Sequence, residues 1–298
     1  MGMKYGFDSK REQPASHIAA ILQNEKLKLV GVCDPDISAT NLFKNKYGKD
    51  YLVFNDYTKL IDYFNERRIA LHLISISTPD ETHFEILKYI LKNLNVSTKL
   101  IIFCEKPLTS DLTSAKEIKR LLKNPKIKII VNHIRRWSKL WQEAHMLTKK
   151  IGKIEKAAFY FSTSPENKNI VQIRDGIHIA DLINWFKIEG KSSINRLMLP
   201  YFILDFYLWG AKGKIEILKY HQILNFYKIR KSDRFMGFKE LQLSYSRKLR
   251  ESLTANAYEE FVEYLEGKKT SLSTDINDAI SALKVFKEYV YDSKVSNN

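Results

Sequence analysis

The sequence has few of the residues from which disulfide frameworks and zinc sites are built. It contains two cysteines in 298 residues, Cys33 and Cys104, and they form no C-x-x-C pair. A disulfide-rich secreted domain and a cysteine-based zinc site are therefore excluded. Low cysteine usage of this kind is typical of a reducing cytoplasm.

Long hydrophobic runs are also missing. The longest apolar run, residues 197–209, contains Pro200 and Asp205, whereas a helix that crosses a bilayer needs about 20 apolar residues. The N-terminal residues, MGMKYGFD, contain no apolar segment of the signal-peptide type. We therefore predict a cytoplasmic protein with no membrane partner.

Acidic residues are outnumbered, which raises the question of a nucleic-acid partner. Lysine and arginine number 49 against 34 acidic residues, giving a formal charge of +15. The cations are interleaved with acids along the whole chain, and no run of five or more lysines and arginines occurs. This distribution disfavours a nucleic-acid interface. An apolar content of 44% excludes a disordered chain.

The order of predicted elements indicates two domains. From about residue 18 to residue 133, short β-branched runs alternate with amphipathic helical stretches. Such alternation predicts βαβ units and a doubly wound parallel sheet of the Rossmann type. Beyond it, strands are grouped and helices segregated, which predicts an α+β domain with a mostly antiparallel open sheet. We predict a first domain over 1–130 and a second over 131–298.

Ligands of doubly wound sheets bind at the carboxyl ends of the strands. Asp34 ends a predicted strand, where its carboxylate either accepts hydrogen bonds from the ribose hydroxyls of a dinucleotide or caps a turn. Thr78 and Pro79 follow the central strand, and His83, one turn into the next helix, is either functional or an ordinary surface or core histidine. Lys106 exits a buried strand, where desolvation of an ammonium group is costly, so a role is indicated.

A second group of polar residues opens a helix in the C-terminal half. Asp175 is either functional or an N-cap, His178 either functional or a satisfied core histidine, and Asp181 could be only a charge on the helix face. Taken together, Lys106, Asp175 and His178 form a set that could relay a hydroxyl proton while a hydride leaves carbon.

Several motifs, in order over nearly the whole chain, resemble the glucose-fructose oxidoreductase / inositol dehydrogenase / MocA (Gfo/Idh/MocA) family. The Glu-Lys-Pro triplet after a strand is the most specific of them. The motifs are VGVCDPD (30–36), STPDETH (77–83), CEKPL (104–108), NHIRRW (132–137), the His178-x-x-Asp181 helix, WGAKGKIEI (209–217) and the helix pair 258–291.

The resemblance implies an NAD- or NADP-dependent oxidoreductase that acts on a sugar, sugar nucleotide or cyclitol and forms a homo-oligomer. It implies that 1–130 is a dinucleotide-binding domain and 131–298 a substrate and oligomerisation domain. No metal site is predicted.

The resemblance also implies that Lys106 is the catalytic lysine and His178 the acid/base. The residues themselves suggest Asp175 as a carboxylate that orients one of them. By the same resemblance the nucleotide is lined by Asp34, Thr78, Pro79, His83, Glu105 and Lys106. Asp34 favours NAD, because a carboxylate there repels a 2′-phosphate.

The glycine fingerprint of the family is missing, since no G-x-G occurs in the sequence. Residues 1–6, MGMKYG, resemble only the tail of that loop, so the first strand and the first two glycines are predicted to be absent. Those glycines let the backbone approach the pyrophosphate, and their loss predicts weak cofactor binding.

Two further departures affect the second domain. The family's Asp four residues before the histidine is replaced by Arg174, with Asp175 one position later. The segment between Trp185 and Trp209 is short, so the open sheet is predicted to lack strands. These departures leave open an alternative function, a catalytically silent family member that binds a partner or is a non-functional remnant.

Overall fold

The computed structural model describes residues 8, 10–48, 50–162, 173–189, 191–197, 199 and 203–290. Its strands are β1 (Gly31–Cys33), β2 (Leu52–Phe54), β3 (Leu73–Ile76), β4 (Leu100–Cys104), β5 (Ile127–Val131), β6 (Ile154–Ser162), β7 (Lys191–Leu197), β8 (Leu204–Gly210), β9 (Gly213–Leu218), β10 (Ile223–Lys231) and β11 (Lys239–Lys248). Its α-helices are α1 (His17–Gln23), α2 (Ile37–Tyr47), α3 (Tyr57–Glu66), α4 (Asp80–Asn93), α5 (Leu112–Leu121), α6 (Lys139–Ile151), α7 (Ile173–Trp185), α8 (Leu253–Leu265) and α9 (Ile276–Val285).

The chain divides into two compact units. The first comprises residues 1–133 and 252–280, and the second comprises residues 134–251 and 281–298. None of the helices within the described ranges combines the length and apolarity that a membrane span requires.

The first unit has the predicted βαβ organisation. Its strands pair in parallel, as β1–β2 and as β3–β4–β5. Helices begin where carboxylate side chains cap them: Asp36 accepts from the Ser38 amide, Asp56 from Thr58 and Asp111 from Ser114. The parallel α/β class predicted from the sequence is confirmed.

The parallel strands nevertheless form two sheets instead of the one predicted. In the doubly wound strand order 3-2-1-4-5-6, the first strand joins the two halves. The described residues between 10 and the start of α1 form no strand, and none of the described strands joins β1 to β3. Gly2 and Gly6, the predicted tail of the glycine loop, lie outside the described residues.

Helix α8 belongs to the first unit, although the sequence assigns it to the second domain. Tyr258 and Phe261 on this helix are fully buried, and Phe261 packs edge-on against Phe103 of β4 with ring centroids 4.8 Å apart. The apolar face of α8 therefore covers the parallel sheet, a contact across more than a hundred positions that the order of elements does not reveal.

The second unit is a six-stranded sheet with helices on one face. The strand order is β11-β10-β9-β8-β6-β7, with β6 and β7 parallel and the other pairs antiparallel. Helices α6 and α7 contribute to its core, together with one face of the sheet: Leu140, Trp141, Leu182, Phe186, Phe159, Phe206, Ile215 and Phe226. The predicted mostly antiparallel α+β sheet is confirmed.

The short segment between Trp185 and Trp209 contains two strands, β7 and β8. That the sheet lacks strands relative to the family stays a prediction. Strand β8 alternates inward Phe206 and Leu208 with outward Tyr207 and Trp209. Its tight turn to β9 requires glycine, since a Cβ at Gly210 would lie 2.4 Å from the carbonyl oxygen of Ile151. Because the outward-facing residues Tyr207 and Trp209 are aromatic, the sequence of β8 looks like a continuous apolar run and not like an alternation of apolar and polar residues.

Candidate functional site

The ends of β3, β4 and β5 are adjacent in the first unit. The Glu105 amide donates to the carbonyl of Ile76 at 2.8 Å, and the Asn132 amide donates to that of Cys104 at 2.8 Å. All five residues of β4 are buried. The residues that follow these strands are therefore held at one edge of a rigid sheet, the usual ligand position in such folds.

Glu105 is the centre of a buried polar cluster at this edge. Its Oε1 atom lies 2.8 Å from His17 Nε2 and accepts a hydrogen bond from Asn132 Nδ2 at 2.9 Å. Burial alone raises the pKa of Glu105, but the hydrogen bonds from His17 and Asn132 and the charge of Lys106 outweigh it and hold this pKa below its ordinary value. Glu105 is thus ionised at neutral pH.

Lys106 follows Glu105 directly and is half-buried. Its neighbour Pro107 is buried, and the carbonyl oxygen of Pro107 lies 2.8 Å from His83 Nδ1. The Lys106 backbone is thereby tied between the end of β4 and helix α4. This placement agrees with the expectation of a lysine at a buried strand exit.

His83 is completely buried, with Nε2 3.0 Å from the carbonyl oxygen of Thr78 and Nδ1 on that of Pro107. Carbonyl oxygens only accept hydrogen bonds, so a neutral ring can donate to one of the two and only an imidazolium to both. The geometry makes His83 a brace between the exits of β3 and β4. Its predicted contact with a nucleotide stays a prediction.

Asp34, Thr78 and Pro79 occupy the expected strand exits. Asp34 follows β1, is exposed, and accepts the Asp36 amide on Oδ1 at 3.0 Å. Thr78 is half-buried and Pro79 exposed. An exposed carboxylate at this position fits the ribose hydroxyls of a dinucleotide. The described residues ahead of α1 contain no glycine, so a glycine cradle for the pyrophosphate is not among them.

The second unit carries the remaining predicted residues on α7. His178 is half-buried there, and Asp175 lies on the same helix with a side chain outside the part that the structure describes. Asp181, which could have been only a surface charge, is buried and pairs with Arg136. The closest approach, Arg136 Nη2 to Asp181 Oδ1, is 2.7 Å.

Sequence reasoning gave no role to His17, Asn132 and Tyr258, which surround Glu105. Asn132 begins the NHIRRW motif (132–137). A buried glutamate requires hydrogen-bond donors, and this requirement is the one signal in the sequence that could have indicated Asn132 as a partner of Glu105. His17 and Tyr258 lie far away in sequence and carry no comparable signal. The His, Cys, Asp and Glu side chains within the described ranges form no group of three that could hold a metal ion.

Comparison with known proteins agrees with this architecture. Residues 14–133 match the family model GFO_IDH_MocA, described as an oxidoreductase family with an NAD-binding Rossmann fold. This part of the chain is similar to that oxidoreductase family. The matched range contains the Gfo/Idh/MocA residues at the ends of β1, β3 and β4. A search of curated proteins gives no match.

Solved structures resemble this chain over both units. An oxidoreductase from Sinorhizobium meliloti has a TM-score of 0.73 at 16% identity, with 93% of this chain and 92% of that chain covered. UDP-N-acetylglucosamine 3-dehydrogenase from Acidithiobacillus ferrooxidans has a TM-score of 0.70 at 14% identity, with 89% of this chain and 90% of that chain covered. Myo-inositol 2-dehydrogenase from Lactobacillus plantarum gives 0.66 at 18%, covering 91% of each chain. These similarities establish the fold.

Proposed function

We propose that this chain is an NAD- or NADP-dependent oxidoreductase that transfers a hydride between nicotinamide and a CH–OH carbon of a sugar, sugar nucleotide or cyclitol. The ionised Glu105 with Lys106 at the exit of buried β4 is the main support, because it sets a fixed charge pair where doubly wound folds bind ligands. The family of residues 14–133 and the sugar-nucleotide and inositol dehydrogenases of similar fold point to the same substrate class.

The proposed chemistry divides among three side chains. Lys106 holds and polarises the reacting oxygen, His178 exchanges the hydroxyl proton, and Asp175 orients one of them. When bound, the nicotinamide ring supplies hydride acceptance or donation at C4. Asp34, Thr78, Pro79 and Glu105 would hold the dinucleotide, and His83 would keep their strand exits together.

The chain is predicted to prefer NADH to NADPH. We expect saturable binding of NADH with weaker binding of NADPH, because the Asp34 carboxylate accepts ribose hydroxyls and repels a 2′-phosphate. Asp34→Ala should weaken NADH binding about tenfold to hundredfold, the usual worth of hydrogen bonds to a charged group. Fluorescence titration of the purified chain with each nucleotide measures both affinities.

Asp50→Ala is the matched control, since Asp50 is an exposed aspartate of the same unit and should leave both affinities unchanged. Absence of binding of either nucleotide to the folded protein would contradict the proposed function. Equal loss of NADH and NADPH affinity in Asp34→Ala would instead remove the basis for preferring NAD.

We also propose that the chain forms a homo-oligomer through the outer hairpin of its open sheet. Ile229, Leu241 and Leu243 are exposed on β10 and β11, and the alternation of β11 puts Leu241 and Leu243 on one face. Ile229 lies opposite Leu241 in the antiparallel register and shares that face. An exposed apolar patch of this kind marks an interaction site.

Leu243→Arg is expected to convert the oligomer into monomer, because it places a charge in the centre of the apolar patch that the oligomer would bury. Light scattering after size exclusion measures the mass. Gln242→Arg, one residue away on the opposite face of the exposed strand, should leave the mass unchanged. A wild-type chain that is monomeric at micromolar concentration would contradict this interface.

A further inference from the structure

The cluster around Glu105 is built from four separate segments of the first unit. His17 begins α1, Glu105 and Asn132 follow β4 and β5, and Tyr258 lies on α8. Their relative exposures are 5%, 6%, 8% and 1%. His17 Nδ1 lies 3.0 Å from the Tyr258 hydroxyl, and its ring packs edge-on against Phe103. The imidazole is therefore fixed in position and orientation.

The proton positions follow from the donors and acceptors. An ionised carboxylate only accepts, so His17 Nε2 carries the proton that it shares with Glu105 Oε1. Asn132 donates to the same oxygen. Among the described residues no donor forms a hydrogen bond with the second oxygen, Oε2, and 8% of the Glu105 side-chain surface is exposed. One oxygen is thus saturated while the other remains available for a ligand.

We propose that His17 is a positioning residue of the cofactor site: with Asn132 it keeps Glu105 ionised and turned so that Oε2 accepts a hydrogen bond from a hydroxyl or amide group of the bound dinucleotide. This inference rests on the proposed function. It gives the first helix a role in ligand binding that requires no glycine loop, since His17 acts through the carboxylate at the end of β4.

The pH at which Glu105 loses its charge depends on the titratable groups that face it. They are His17 on α1, Tyr258 on α8, Cys104 on β4 and Lys106 in the following loop. Burial raises the pKa of the Cys104 thiol and of the Tyr258 hydroxyl, so both stay neutral across the useful range. Removal of the His17 donor leaves burial as the largest influence on Glu105, which then raises its pKa.

The test compares His17→Leu, His17→Gln and wild type in NADH titrations from pH 6 to 8.5. Wild type should bind NADH with nearly constant affinity. His17→Leu should bind about tenfold to hundredfold more weakly at the acidic end and recover as the pH rises and Glu105 ionises. His17→Gln retains a donor and should restore much of the affinity. His72→Leu, an exposed histidine of the same unit, is the control.

A second measurement needs no cofactor. In wild type the lowered pKa of Glu105 contributes stability above its unfolded pKa, and that contribution is lost as the pH falls through the folded pKa. In His17→Leu the raised pKa reverses the sign, so the loss of stability relative to wild type should grow from pH 4.5 to 8. Glu105→Gln in the same background should remove this growth. Urea unfolding at several pH values measures it.

The outcomes separate the two proposals. If wild type binds neither nucleotide, the proposed function fails, and the unfolding profile still tests the bond between His17 and Glu105. If wild type binds NADH and His17→Leu binds it equally at every pH, the positioning role is overturned and the function stands. If His17→Leu does not fold, His17→Gln tests the inference: near-wild-type NADH affinity with a nearly constant pH profile supports it, and a loss of affinity that is the same at every pH overturns it.

Discussion

Lys106→Met is expected to lower the turnover of this chain by about 10² to 10⁴-fold, the usual contribution of a positioned acid–base group. Methionine keeps the length of the side chain but removes the ammonium that polarises the reacting oxygen. Steady-state reduction of NAD, followed by absorbance with a panel of sugars, sugar nucleotides and cyclitols, first identifies a substrate for wild type and then measures the variant.

Lys119→Met provides the control, because Lys119 is an exposed lysine on α5 of the same unit. It should retain wild-type turnover. The loss in Lys106→Met should be larger in turnover than in NADH affinity if the lysine acts mainly on the substrate oxygen. Full turnover in this variant would remove Lys106 from the mechanism, whatever its contribution to cofactor binding.

Asp181→Ala should destabilise the protein by about 3–5 kcal/mol, the cost of breaking a buried ion pair by removal of one partner. Arg136 and Asp181 side chains are 4% and 2% exposed, and two hydrogen bonds, Nε to Oδ2 at 3.1 Å and Nη2 to Oδ1 at 2.7 Å, join their planar groups. The variant leaves the guanidinium, which lies 4.9 Å from the centroid of the Trp185 ring, without this carboxylate.

Urea unfolding measures this change in the free energy of unfolding. Asp233→Ala, at an exposed aspartate of the same unit, should change it by less than about 0.5 kcal/mol. A double variant, Arg136→Met with Asp181→Leu, should recover most of the stability, because apolar replacements of similar volume often equal a buried pair. A decrease in the free energy of unfolding of less than about 1 kcal/mol in Asp181→Ala would show that the ion pair contributes little to the stability of the second unit.

Local signals predicted the elements that local energetics control. Asp36 caps α2 and Asp56 caps α3, since a carboxylate before an amphipathic stretch satisfies the first amides of a helix by itself. Strands β7 and β8 and the division of the parallel strands into two sheets were not predicted. Strand pairing depends on partners that are distant in sequence.

In the candidate site, too, local features can be predicted from the sequence and long-range contacts cannot. Asp34, Glu105 and Lys106 can be found from the sequence because strand exits are recognisable and charges at buried exits are costly. The partners of Glu105 cannot be found in this way. His17 is separated from Glu105 by 88 positions, and hydrogen-bond partners at that distance leave no periodicity or spacing in the chain.

Periodicity, caps and short motifs are local properties, so the amino-acid sequence alone predicts the βαβ order of the first unit, the α+β character of the second and the family resemblance of the N-terminal part. The tertiary structure decided that α8 covers the parallel sheet, that Asp181 pairs with Arg136 in the interior, and that His17 and Asn132 donate to one oxygen of Glu105. These contacts follow from burial, since a buried charge must find donors or a counter-ion wherever the folded chain brings them.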